Sequence, residues 1–161
     1  MPRSMKHIKE SIIVFFIFAG SLWIGLSHFR EKKKMKDIQI SSSILAECLN
    51  WERKVESMGI DPSGAIARIS SIKVIKTEEY AGVYDRSGSR IEISSRVFDK
   101  GEYSVRSTIY HELGHAVFKL EHGDCGIMND RILSEEYLKD NWDNLVTEYL
   151  KKCYEKRLES I

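Results

Sequence analysis

The residues of this chain with the clearest chemical potential run from His111 to Asp124, in the order His-Glu-Leu-Gly-His-Ala-Val-Phe-Lys-Leu-Glu-His-Gly-Asp. His111 and His115 stand four apart. On a helix that spacing puts both imidazoles on one face, about 5–6 Å from each other. Two nitrogens so placed can share one Zn²⁺ at about 2.0–2.1 Å. Glu112 follows the first ligand directly and points toward the open side of such an ion, where it can take a proton from water. The chemistry is metal-assisted hydrolysis with a carboxylate as the base.

A catalytic zinc site needs a third protein ligand and an open fourth position. His122 lies seven residues beyond His115. A continuous helix would carry it roughly 10 Å along the axis, out of reach of the ion. The helix must therefore end near Leu120 and the chain fold back, a turn that Gly123 favours. Asp124 is the alternative third ligand, since a carboxylate also binds zinc and sits in the same loop. Cys125 could ligate as a thiolate, although a fourth protein ligand would close the site. Tyr103 and Tyr110 are candidate donors to a transition state, set against plain packing roles.

This stretch, extended through Cys125-Gly126-Ile127-Met128-Asn129, resembles the metzincin clan of zinc-dependent metallopeptidases, in particular its matrixin-like branch and small bacterial or phage relatives. His111, Glu112 and His115 match the first half of the clan's motif HExxHxxGxxH. Gly126-Ile127-Met128-Asn129 resembles the Met-turn, and the resemblance implies that Met128 lies beneath the metal. It further implies an α+β fold, with a small mixed sheet, an active-site helix and a C-terminal helix behind the turn. An extended peptide would lie along the sheet edge near Ala81 to Tyr84. Two departures stand out. Six residues rather than five separate the second and third histidines, so that Phe118 or Lys119 occupies the place of the clan's helix-breaking Gly. Asn129 stands where larger matrixins often carry Tyr.

The elements that must position these residues can be read from periodicity. Residues 41–58 form a helix, with Ile44, Cys48, Trp51, Val55 and Met58 on one stripe, Ser42 or Ser43 as its cap and Gly59 at its end. Strands follow at 69–76, 81–84 and 90–94, the last two joined by a turn at 85–89. A second helix covers 105–120. A third covers 134–158, with Ser134 as N-cap, Glu135 and Glu136 in its first turn, and Leu138, Trp142, Leu145, Tyr149 and Cys153 on its apolar stripe. Helix, small sheet, helix, helix is an α+β order.

The formal charge of +1 conceals a division. Residues 1–37 carry eight Lys or Arg against three acids; the remainder carries 17 against 21. A mildly acidic body does not suit nucleic acid, which wants a basic face. The basic residues flank an apolar stretch from Ser11 to Phe29 that points to a membrane. Residues 1–29 are a signal peptide or transmembrane anchor, residues 30–40 a basic linker, and residues 41–161 the zincin-like catalytic domain. A basic start, an apolar core and the small-residue end Gly25-Leu26-Ser27 favour an extracytoplasmic body, secreted or anchored. The denser cluster from Arg30 to Lys36 argues, by count, for the opposite orientation. Cys48, Cys125 and Cys153 are too scattered for a disulfide framework; they read as apolar fillers, with one bridge open to an exported body. The expected function is a zinc metalloendopeptidase acting on peptide or protein. The rival is a catalytically inactive, zinc-binding interaction module held at the membrane.

Overall fold

A computed structural model of the protein describes residues 34, 35 and 38–159. The apolar stretch from Ser11 to Phe29 and the basic residues around it up to position 33 lie outside the described residues. Among the described residues no helix is long and apolar enough to cross a membrane.

The fold is α+β. A short strand β1 (Gln39–Ile40) leads into helix α1 (Ser42–Ser57) and the single turn α2 (Ser63–Ile66). Strands β2 (Ser71–Ile75), β3 (Gly82–Asp85) and β4 (Arg90–Ser94) follow, then helix α3 (Glu102–Leu113) and the long helix α4 (Glu135–Glu159). The four-stranded sheet has the order β1-β2-β4-β3. β1 and β4 run parallel to β2, whereas β3 is an antiparallel edge strand paired with β4. Period-two alternation puts Ile72, Ile91 and Ile93 into the core, with Lys73 and Glu92 on the other face. The β3–β4 turn falls where the Asp, Ser and Gly residues place it: the Asp85 carboxylate accepts the Ser87 N–H at 2.9 Å.

Helix α3 is the centre of the domain, touching β3 and β4 on one side and α1 and α4 on others. Trp51 of α1 donates its indole N–H to the Tyr149 hydroxyl of α4 at 3.0 Å, and that hydroxyl donates to the Tyr110 carbonyl of α3 at 2.8 Å. One buried relay therefore ties three helices together directly beside His111.

The structure corrects several sequence expectations. Helix α1 is capped by neither Ser42 nor Ser43. Its N-cap is Ser41, whose hydroxyl instead accepts the Val74 N–H of β2 at 3.0 Å. Met58 leaves the apolar stripe and is 41% exposed, because the helix has ended one residue earlier. Helix α3 begins at Glu102, three residues before the expected start. The stretch read as a basic linker contributes Met35, Ile38 and β1 to the folded body: Met35 is fully buried. Helix α4 matches its expected span and stripe, with Ser134 accepting the Tyr137 N–H at 3.2 Å; only Trp142 is half-exposed. Cys48, Cys125 and Cys153 are all free and buried, as apolar fillers would be.

Candidate metal centre

The α-helical part of α3 stops at Leu113, and the chain continues through a wider π turn, Gly114–Phe118. His111 and His115 lie on either side of this change and still share a face: their Nε2 atoms are 3.1 Å apart. Lys119, at φ 57° and ψ 34°, takes the left-handed position that ends the helix, and both its N–H and that of Leu120 return to the Gly114 carbonyl. The chain folds back as the spacing requires, but Lys119 rather than a glycine performs the break. The π turn accommodates one more residue ahead of that break than a tight α-helical ending would.

The loop that follows brings His122 over the other two rings. Its ring centroid lies 5.1 Å from that of His111 and 4.9 Å from that of His115. The three imidazoles offer one nitrogen each within 4.8 Å of one another, and among the described residues they form the one His, Cys, Asp and Glu group of that kind. Gly123 turns the loop at φ 87° and donates its N–H to the Met128 carbonyl. Asp124, the alternative ligand, stands outside the cluster. Its carboxylate accepts the Glu121 N–H at 2.7 Å and so braces the loop. Cys125 is also outside the cluster, buried at the foot of the same loop.

Second contacts decide which nitrogens face inward. His111 Nδ1 meets the Ile127 carbonyl at 2.9 Å, and His115 Nδ1 meets the Leu120 carbonyl at 2.6 Å. A carbonyl only accepts, so each Nδ1 carries the proton and each Nε2 keeps its lone pair. Burial, against the bond to Ile127, lowers His111 to about 4, and burial also lowers His115. Two neutral rings then present bare lone pairs to each other at 3.1 Å, an arrangement that repels unless a cation lies between them. Tetrahedral bonds of roughly 2.05 Å would set neighbouring ligand nitrogens about 3.3 Å apart. The donor set therefore suits a metal ion that accepts imidazole nitrogens at such a spacing, zinc among them, and the carbonyls orient the rings as such a site would need.

Met128 is fully buried in the 3₁₀ turn Gly126–Met128. Its Sδ lies 2.9 Å from the point a Cβ on Gly114 would occupy, so the thioether packs against the backbone between the two helical histidines. Glu112 is 5% exposed, and burial pushes its carboxyl up to about 8 despite a hydrogen bond from the Tyr84 backbone N–H. A group so placed exchanges a proton near neutral pH. His111, Glu112, His115 and His122 all line one cleft of about 750 Å³ between the β3 edge and residues 126–133. Asn129 lines it too, its Oδ1 accepting the Arg131 N–H at 2.9 Å. Tyr103 and Tyr110 do not line it. Tyr110 is fully buried against Trp142 and Tyr149, and Tyr103 packs on Trp142. Gly82, Tyr84 and Thr108 surround Glu112 without having been marked as site residues; an isolated Gly within a strand is a signal for Gly82, and Tyr84 and Thr108 carry none.

Compared with protein-family models, curated proteins and solved structures, the chain matches none.

Proposed function

We propose that the protein is a zinc metalloendopeptidase of metzincin-like, matrixin-like type, hydrolysing peptide bonds with Glu112 as general base. The observation that carries this reading is the convergence of three histidines in the same cleft as one buried carboxyl that none of them binds. His111, His115 and His122 would hold the ion. Bound there, zinc would supply Lewis acidity at a scissile carbonyl and make water a better proton donor. Glu112 takes the proton of the attacking water and passes it to the leaving amine. The cleft is open along β3, whose outer edge suits an extended peptide laid down as an added strand. Met128 supports the ligand helix from below. The apolar stretch from Ser11 to Phe29 supports tethering to a membrane, a reading that rests on sequence.

An inactive zinc module is the reading to exclude. A structural zinc site normally closes with four protein ligands and has no use for a buried base beside it. The deciding experiment is metal analysis of the purified full chain together with a casein or peptide-library assay. One zinc per chain and measurable hydrolysis are expected. Glu112→Ala keeps the metal and loses hydrolysis by about 10²-fold or more. Hydrolysis undiminished in Glu112→Ala would overturn the assignment.

A further inference from the structure

We propose that Gly82 is a positioning residue for Glu112, its missing side chain leaving the seat that the carboxylate occupies. The inference rests on the reading of Glu112 as the base, but its physical part stands without it. The register sets the geometry. Ser94 donates its N–H to the Ala81 carbonyl, so Ala81, Val83 and Asp85 turn their backbone groups toward β4. Gly82 and Tyr84 turn theirs to the open edge, and their side-chain positions fall on the face shared with Ile93 and Ile91, toward α3.

A Cβ at position 82 would come 2.8 Å from Glu112 Oε1, 2.9 Å from Glu112 Cγ and 2.7 Å from Thr108 Cγ2. None of these neighbours can retreat easily. The Thr108 hydroxyl is committed to the Ser104 carbonyl at 2.8 Å, which fixes the direction of its methyl. Glu112 Cγ sits near the root of its side chain, so moving it changes the first torsion and swings the whole carboxyl. Helix α3 is held from behind by the Tyr149 bond to Tyr110. The next residue on the same face, Tyr84, gives its N–H to the carboxylate. The bare position at 82 and that N–H together form the seat. Glycine inside a strand costs stability, and close approach of another group is the usual reason it is kept.

The test uses the full chain. Gly82→Ala should hold zinc at unchanged stoichiometry while kcat on a peptide substrate falls about 10-fold or more, with KM changed much less. A second readout needs no activity. In metal-free protein carrying Thr108→Ser, which removes the methyl but keeps the hydroxyl, Gly82→Ala should lower the melting temperature by about 5 °C. Adding Glu112→Ala should abolish more than half of that drop. An equal drop with and without the Glu112 carboxyl overturns the proposal, and so does failure to fold in both backgrounds. Failure only with Glu112 present supports it. If wild-type protein binds zinc but cleaves nothing, the peptidase reading falls, while the melting cycle still decides the role of Gly82.

Discussion

Glu135 and Ser104, 31 residues apart, meet at the start of the helix that carries His111 and Glu112. Glu135 Oε2 accepts both the backbone N–H and the hydroxyl of Ser104 at 2.8 Å, while Oε1 accepts the Tyr103 N–H at 2.9 Å. A carboxylate from the next helix thus caps α3, satisfying donors that its own sequence leaves open.

Burial alone would raise the Glu135 carboxyl, but the three hydrogen bonds outweigh it and hold the group below its ordinary 4.5. The native state then favours the ionised form. Its contribution is present above pH 4.5 and disappears as the pH falls through and below that value. Glu135→Gln should cost about 1–2 kcal/mol at pH 7, and the deficit should shrink in acid. Urea denaturation at pH 7 and pH 3.5 checks this; a deficit independent of pH would show that charge is not its source.

Glu112 has the opposite sign. Its carboxyl titrates near 8 in the metal-free fold, against an ordinary 4.5. The native state favours the protonated form, so this contribution is complete below pH 4.5 and is lost as the pH rises to about 8. His111, lowered to about 4 from 6.5, contributes stability above pH 6.5 that is lost on acidification toward 4. Melting of the chelator-treated protein should therefore be highest between these wings. Glu112→Gln should melt above wild type at pH 8 by a margin that shrinks at pH 5; a constant margin would count against a buried acid.

Lys119 occupies the left-handed region, where a side chain costs about 1 kcal/mol or more relative to glycine. Lys119→Gly should raise the melting temperature by a few degrees. Zinc content should not change, because Lys119 ends the helix without joining the cluster. A lowered melting temperature would mean that the Lys side chain itself stabilises the turn.

Tyr149→Phe removes the hydroxyl that joins Trp51 to the Tyr110 carbonyl. It leaves the buried Trp51 indole N–H without its partner, while the Tyr110 carbonyl keeps the Gly114 N–H, at a cost of about 1–3 kcal/mol. Equilibrium unfolding followed by tryptophan fluorescence measures it. A loss under 0.5 kcal/mol, a threshold of roughly one weak bond, would show that water replaces the hydroxyl.

What could be read from the sequence was local. The i, i+4 pair His111 and His115 needs only a helix, and the distance argument for a break before His122 needs only helix geometry. His122 could be preferred to Asp124 as the third ligand, but only the loop path shows that His122 faces the helical pair while Asp124 turns back to the Glu121 N–H. The start of α3 could not be placed, since its cap, Glu135, arrives from another helix. Met35 hid in a run of lysines whose composition reads as solvated. β1 has two residues, too few for any periodicity, and pairs only because β2 offers an edge. The seat formed by Gly82 depends on strand register, which is settled by pairing with β4.

The carbonyls of Leu120 and Ile127 bracket the loop that delivers the third histidine, and each one aligns one of the helical rings. The stretch from 111 to 127 thus contains every donor and both of the groups that aim the helical pair. Lengthening the loop by one residue would misdirect two ligands it does not itself contain. Insertions in the β3–β4 hairpin should be neutral to metal uptake, while insertions between 119 and 126 should abolish it altogether.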